Sequence, residues 1–99
     1  MKPCHVRLHI VDIVIQYLGV ECRWSSFKHG FTYEDIEHAV MHALYRDDDA
    51  YKNDPPMVLI LGPDSAANIL EIFGELDAGD LMIFHVMKAR PQFLDLLSE

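Results

Sequence analysis

The chain has 99 residues, a length that fits one folded domain with a single hydrophobic core. Its hydrophobic fraction of 51% indicates a globular protein and excludes a disordered polar chain. Sixteen acidic and eight basic residues give a net charge of −8, and such a surface repels nucleic acids unless the few cations are gathered in one place.

The cysteine content and the first apolar stretch indicate the compartment. Cys4 and Cys22 are too few for a disulfide framework or a zinc ribbon, which is typical of a reducing environment. The apolar stretch from Ile10 to Val20 is too short to span a bilayer and includes Asp12 and Gln16. We therefore expect a cytoplasmic protein that has no membrane partner.

Residues 1–23 show two conflicting patterns. Polar and apolar residues alternate over residues 5–10 and again from Val20 to Trp24, as in half-buried strands. Between these stretches, polar residues recur at helical spacing. We expect a helix from about Ile10 to Leu18, and we treat residues 1–23 as an extension of a single domain whose core is residues 24–99.

The next predicted element is a helix from Thr32 to Val40. Thr32 is a good N-cap, Asp35 follows three residues later, and Glu34 places negative charge in the first turn. One apolar stripe then follows at helical spacing: Ile36, Ala39, Val40, Ala43 and Leu44. Residues 46–56 are polar and end in two prolines, so they are predicted to form a loop.

The second half of the chain is dominated by apolar runs of strand length. Met57 to Leu61 predicts a strand that ends in a glycine turn. Residues 65–76 fit either a helix or a strand with Glu71 and Glu75 facing outward. The turn-forming sequence from Asp77 to Asp80 favours the strand, because it separates two apolar runs as in a hairpin.

Leu81 to Met87 is then the second arm of the hairpin, and Pro91 suits the first turn of a short terminal helix. These elements predict an α+β domain. Its small antiparallel sheet has three or more strands, and the helices pack on one face.

The candidate catalytic residues are His85, Lys88 and Arg90, which lie near the end of the last strand. A histidine can act as a general base or acid, and two cations delivered to the same rim of a sheet could hold a phosphate group. In a regular strand, His85 faces one side and the two cations face the other, so they converge only if the chain bends before Pro91. The alternative is a structural histidine beside a charged strand end.

Several short motifs resemble those of the BrnT-type toxins. They are Trp24, Lys28-His29-Gly30, the helix that follows, the strand from Met57 to Gly62, and the last strand with its basic end. The resemblance implies a RelE-like fold and a ribonuclease of a type II toxin–antitoxin pair that needs no cofactor. It also implies RNA as substrate and, as partner, an antitoxin, for which a ribbon-helix-helix DNA-binding protein is one option. The sequence is compatible with a homodimer.

The motifs also differ from the family pattern. Asn68 stands where the family has an arginine, Met87 stands where the last strand has its first arginine, and Lys52 is the nearest match to a loop lysine. The resemblance implies that Lys28, His29, Lys52 and Asn68 bind the substrate. The lost arginines favour an alternative function, a non-enzymatic interaction module of the same fold.

His38 and His42 lie four residues apart, a spacing that lets two imidazoles share a metal ion. His5 or His9 could add a third ligand. Because no glutamate or cysteine stands at a recognisable offset, ordinary surface histidines are the favoured interpretation, and we expect no metal site.

Overall fold

The computed structural model describes residues 7–8, 19–51, 54 and 56–98, and these form a six-stranded mixed sheet with two α-helices. The strand order is β1-β2-β6-β5-β4-β3. The strands are β1 (Arg7–Leu8), β2 (Gly19–Cys22), β3 (Tyr45–Asp47), β4 (Met57–Pro63), β5 (Ile69–Asp77) and β6 (Asp80–Lys88). The helices are α1 (Tyr33–Met41) and α2 (Pro91–Leu94), with 3₁₀ helices at Trp24–Phe27 and Asp95–Ser98. The predicted α+β class is confirmed, whereas the predicted helix from Ile10 to Leu18 lies outside the described residues.

Helix α1 begins where the sequence predicted. The backbone N–H of Asp35 donates to the Thr32 hydroxyl (3.2 Å), and the backbone N–H of Thr32 donates to the Asp35 carboxylate (2.9 Å). This reciprocal pair is a capping box, which satisfies two backbone donors at the helix start. The cap therefore fixes the point at which the chain enters the helix.

The meander of β4, β5 and β6 confirms the predicted strands and hairpin. Residues 69–77 form a strand, which resolves the conflict in the sequence pattern in favour of the strand. Asp77 pairs with Asp80 across the hairpin, and the two residues between them, Ala78 and Gly79, have φ angles of 52° and 91°. Positive φ at both positions is the geometry of the tight turn that matches the twist of a two-stranded ribbon.

Three strands, β1, β2 and β3, lie outside the predicted meander. Tyr45–Asp47 pairs with β4, although residues 46–56 were predicted to form a loop. The prediction was wrong at this point because three paired residues give no measurable periodicity. Strand β2 pairs with β6 in parallel, so the sheet is mixed.

A β-bulge in β6 changes which residues face each side of the sheet. Phe73 pairs with His85 but the next residue, Gly74, pairs with Ile83, so Phe84 is the extra residue. Ile83 and His85 consequently lie on opposite faces, whereas a regular strand would place both on the same face.

The two faces of the sheet carry separate hydrophobic clusters. Helix α1 covers one cluster, which has these buried members: Val20, Cys22, Ile36, Ala39, Val40, Val58, Ile60, Leu70, Ile72, Leu81, Ile83 and Val86. The other face holds Leu59, Leu61 and Phe73, and Phe93 of α2 packs against them. The sheet is thus covered on both faces, by α1 on one and by the short C-terminal helix on the other. None of the helices formed by the described residues is long and apolar enough to cross a membrane.

Helix α1 packs directly against the backbone of β4 at Gly62. A Cβ atom on Gly62 would overlap the carbonyl oxygen of Ala39, which belongs to the helix backbone and cannot move aside alone. We expect Gly62→Ala to lower the free energy of unfolding by about 3 kcal/mol, at the upper end of overpacking costs, as measured by urea denaturation.

Gly30→Ala is the matched control for this substitution. Gly30 has a φ of 91° and nothing within 4 Å of an added Cβ, so only backbone strain of about 1 kcal/mol is expected. Equal losses in the two variants would contradict the close approach of α1 to β4.

Candidate functional site

A buried carboxylate, that of Glu71, lies at the centre of the candidate site. The sequence pattern predicted that Glu71 faces solvent, and this is wrong: its exposed fraction is 0%. The side chain accepts hydrogen bonds from the Arg90 backbone N–H (2.9 Å), from Arg90 Nη2 (2.7 Å) and Nε (3.1 Å), and from His85 Nε2 (3.0 Å). The carboxylate can remain buried because two side chains and one backbone group satisfy it.

Arg90 reaches Glu71 because the chain bends where β6 ends. The Ala89 N–H donates to the carbonyl of Ile69, and Arg90 then turns its own N–H toward Glu71 before Pro91 begins α2. The guanidinium also lies over the Phe93 ring, 5.3 Å from its centre. Nε and Nη2 bind Glu71, while 46% of the side-chain surface stays exposed, so Arg90 can also contact a ligand.

The charges of this pair are mutually stabilised. Burial alone would raise the pKa of Glu71, but the hydrogen bonds from Arg90 and His85 outweigh it and hold that pKa below its usual value. The hydrogen bonds that Arg90 donates to the Glu71 carboxylate raise the pKa of Arg90 in turn. Glu71 is therefore ionised at neutral pH, as a hydrogen-bond acceptor in this position must be.

The ionised state of Glu71 fixes the orientation and tautomer of His85. A carboxylate only accepts hydrogen bonds, so Nε2 of His85 carries the proton and Nδ1 has a free lone pair in the neutral ring. The imidazole is held beside the rings of Phe73 and His29, whose centres lie 5.4 and 5.9 Å away. Its side chain is 26% exposed, so the ring is oriented and also accessible.

The 3₁₀ helix Trp24–Phe27 anchors the other wall of the site to the bulge in β6. The hydroxyl of Ser25 donates to the carbonyl of Phe84 (2.6 Å), and the hydroxyl of Ser26 donates to the carbonyl of Ile83 (2.8 Å). A bulge interrupts the strand ladder, and Ser25 satisfies the carbonyl of the extra residue, whereas the carbonyl of Ile83 also accepts from the Arg23 N–H (2.7 Å). Lys28 follows this anchored segment directly.

These elements enclose a cleft of about 470 Å³. Its lining residues are Ser25, Lys28, Tyr51, Met57, Phe73, Phe84, His85 and Arg90. The cleft thus brings together Lys28, His85 and Arg90, three of the residues singled out in the sequence, and His29 lies beside His85. It combines two cations and an oriented imidazole with aromatic rings.

Other residues singled out in the sequence lie elsewhere. Lys88 is exposed, and its partner across the strands is Leu70, which faces α1, so Lys88 lies on the opposite face from His85. Asn68 donates its side-chain amide to Asp64 (3.1 Å) and closes the turn between β4 and β5. Lys52 lies outside the described residues. The hypothesis that both cations converge with His85 is therefore wrong for Lys88, whereas Arg90, which lies beyond the bend, shares Glu71 with His85.

Sequence reasoning missed Glu71, Ser25 and the aromatic lining of the cleft. One signal could have indicated that Glu71 is buried: it is a single acidic residue between two apolar ones, in a strand that has a neighbouring strand at each edge. Cys22 is no candidate nucleophile, because burial raises the pKa of its thiol to about 12. Among the residues that the structure describes, no set of three or more His, Cys, Asp or Glu side chains could hold a metal ion.

Glu71→Gln tests the central carboxylate. The variant keeps the shape but loses the charge, and we expect the free energy of unfolding at pH 7 to fall by about 2–4 kcal/mol. Glu75→Gln is the matched control on the same strand. Its partly exposed ion pair with Arg23 spans 3.7 Å, so a change within about 0.5 kcal/mol is expected.

The same variant also makes a prediction about how the free energy of unfolding depends on pH. The pKa of Glu71 is lowered in the folded state, so its contribution is complete above the unfolded-state value and is lost as pH falls through the folded-state value. The stability difference between the wild type and Glu71→Gln should therefore shrink in acid, below about pH 4.5. A difference that stays constant from pH 7 to pH 3 would disagree with an ionised Glu71.

Comparison with known proteins finds no matching family model, no similar curated protein and no similar solved structure. The resemblance to the BrnT-type toxins therefore rests on the short sequence motifs alone. What the chain does has to be inferred from the chemistry of the cleft.

Proposed function

We propose that the chain is a metal-independent endoribonuclease that acts in the cytoplasm as the toxin-like component of a type II toxin–antitoxin pair. The observation that carries the proposal is the oriented Glu71–His85 pair, which shares one cleft with Lys28 and Arg90. An imidazole that a buried carboxylate orients can act as a general base. Cations beside it can bind the negative charge of a phosphodiester.

His85 is the proposed general base. Its Nδ1 lone pair takes the proton of a ribose 2′-hydroxyl, the 2′ oxygen attacks phosphorus, and the bond from phosphorus to the 5′ oxygen breaks. The products are a 2′,3′-cyclic phosphate and a 5′-hydroxyl. Glu71 stabilises the imidazolium that forms, because it already accepts the hydrogen bond from Nε2 (3.0 Å).

The remaining charges have separate roles in the same step. Arg90 and Lys28 line the cleft and stabilise the negative charge that grows on the non-bridging oxygens. His29 is the proposed acid for the leaving 5′ oxygen, and its proximity to His85, 5.9 Å between ring centres, supports this role. The two histidines would then act as base and acid on either side of the phosphate.

The aromatic lining supports a single-stranded nucleic acid as the ligand. Tyr51 is 51% exposed and stacks on Phe73, with 5.7 Å between the ring centres. An exposed ring of this kind offers a face to an unpaired base, and stacking on such rings is a common way to bind single strands. Base stacking also offsets part of the repulsion from the acidic surface.

His85→Ala is the direct test of the proposed activity. We expect purified wild-type protein to cleave single-stranded RNA in the presence of EDTA, and the variant to be at least about 100-fold slower, as for loss of a general base. Gel analysis of a labelled oligonucleotide gives the rate, and mass spectrometry identifies the cyclic phosphate. Cleavage that depends on added Mg²⁺ would be inconsistent with the mechanism.

Two exposed lysines give a matched control. Lys28 lines the cleft and Lys88 lies on the opposite face, so Lys28→Ala should slow cleavage by about 10-fold to 100-fold and Lys88→Ala by much less. Equal effects of the two substitutions would place the reaction outside this cleft.

A second candidate function is a non-enzymatic interaction module. The observation that favours it is the neutralisation of Arg90 by Glu71 in a chain of net charge −8, which leaves a weak positive field in the cleft. Induced expression of the wild type and of His85→Ala separates the two functions. Growth arrest with loss of RNA in the wild type alone favours the nuclease, and no arrest with either protein favours the interaction module.

A further inference from the structure

The ion pair with Glu71 occupies only one side of the Arg90 guanidinium. Nε and Nη2 donate to the carboxylate over 3.1 and 2.7 Å, and Nη1 takes no part in the pair. A guanidinium carries five N–H donors in a fixed fork, so the edge formed by Nη1 and the second hydrogen of Nη2 can still bind two oxygens. Because 46% of the side chain is exposed, this edge can hold a phosphate group while Glu71 keeps its bonds.

The cleft has the size of a site for one small ligand. Its volume of about 470 Å³ falls in the range of small-molecule sites, about 300–1,000 Å³. Its lining includes two cations, Lys28 and Arg90, and the exposed ring of Tyr51. The unit that such a lining recognises is one phosphate with one base, so a single nucleotide is large enough to be a substrate.

The proton that His85 accepts in the proposed cleavage stays beside the substrate. Nε2 already donates to Glu71 (3.0 Å), so a proton taken up by the ring is bound at Nδ1. The Glu71 side chain is 0% exposed, and an ionised carboxylate that water does not screen stabilises the imidazolium strongly. After cleavage the ring is therefore an acid next to the 2′ oxygen from which the proton came.

A cyclic phosphate in this cleft meets the same two histidines in exchanged roles. Its hydrolysis is the reverse of its formation with water in place of the 5′-hydroxyl, so the acid of one step is the base of the other. His29, the proposed acid of the cleavage step, becomes the base for water. Its side chain is exposed and its ring centre lies 5.9 Å from that of His85, so water can reach it.

We propose that the chain also hydrolyses nucleoside 2′,3′-cyclic phosphates to nucleoside 3′-phosphates, an activity that rests on the proposed function and adds a second substrate class. The oxygen of water attacks phosphorus, and the bond from phosphorus to the 2′ oxygen breaks. His29 takes one proton from the water, and Nδ1 of His85 gives one proton to the 2′ oxygen. Arg90 and Lys28 stabilise the negative charge that grows on the phosphate oxygens.

This step restores both histidines for another round. His85 ends neutral, as the base of the cleavage step must be, and His29 ends protonated, as its acid must be. His85 serves the 2′ oxygen in both steps, so the phosphate stays on the 3′ oxygen. Uncatalysed hydrolysis opens either bond of the ring and gives a mixture of the 2′ and 3′ isomers.

The test is hydrolysis of adenosine 2′,3′-cyclic monophosphate in the presence of EDTA, followed by phosphorus nuclear magnetic resonance, which separates the two isomers. We expect the wild type to form the 3′-phosphate alone. His85→Ala and His29→Ala should each be at least about 100-fold slower. His29→Ala removes an exposed side chain, so its loss of activity does not reflect unfolding.

Lys88→Ala is the matched control, purified in the same way. Lys88 lies on the opposite face of the sheet, so this variant should match the wild type. Equal rates in the wild type and both histidine variants would indicate a contaminating enzyme and overturn the proposal. A mixture of isomers, or a wild type that does not hydrolyse the cyclic nucleotide, overturns it as well.

An assay of the wild type on a single-stranded RNA oligonucleotide separates this proposal from the proposed function. RNA cleavage that stops at the cyclic phosphate contradicts the hydrolysis and leaves the nuclease. Hydrolysis of the cyclic nucleotide without RNA cleavage supports the hydrolysis and contradicts the nuclease. Cyclic ends that appear first and are then replaced by 3′-phosphates support both.

Discussion

The fold and the candidate site depend on the same interaction, the buried ion pair between Glu71 and Arg90. Removing a carboxylate from water in the middle of a sheet costs several kcal/mol, and the charge persists only because its partners are fixed in place. The same carboxylate holds β5, the end of β6 and the first turn of α2 through side-chain and backbone donors. The interaction that orients His85 is therefore also the one that docks the C-terminal helix.

The bulge at Phe84 is the geometric condition for that interaction. Leu81 and Ile83 face α1, and without an extra residue His85 would face α1 with them. The bulge turns His85 to the face of Glu71 at the cost of an interrupted ladder. Ser25 offsets this cost by bonding the carbonyl of the extra residue, Phe84, and Gly74 leaves room for the tight pairing opposite Met82. A local irregularity thus aims the imidazole into the cleft.

Local signals in the sequence were sufficient for the capping box of α1, for the hairpin and for the three strands of the meander. The site was harder to predict. The alternation of polar and apolar residues shows which side chains share a face of a strand, but it does not show whether another element packs on that face. Glu71 was assigned to solvent for this reason, although α2 and its cluster cover the second face. Lys88 was grouped with Arg90 because they are close along the chain, whereas the bend before Pro91, downstream of the bulge at Phe84, separates their directions. Neither irregularity has a distinct composition that a periodicity analysis could detect.

The parallel pairing of β2 with β6 has a consequence for how the molecule is assembled. It joins Gly19 to Asp80 across some sixty positions of the chain, and the cleft is likewise walled by segments from both ends. Contacts between such distant segments carry a large loop-closure cost and form slowly during folding. A nascent chain that still lacks β6 can form α1 and its cap but not the cleft. The cleft therefore forms only after the segment that carries Ser25 and Lys28 has packed against β6.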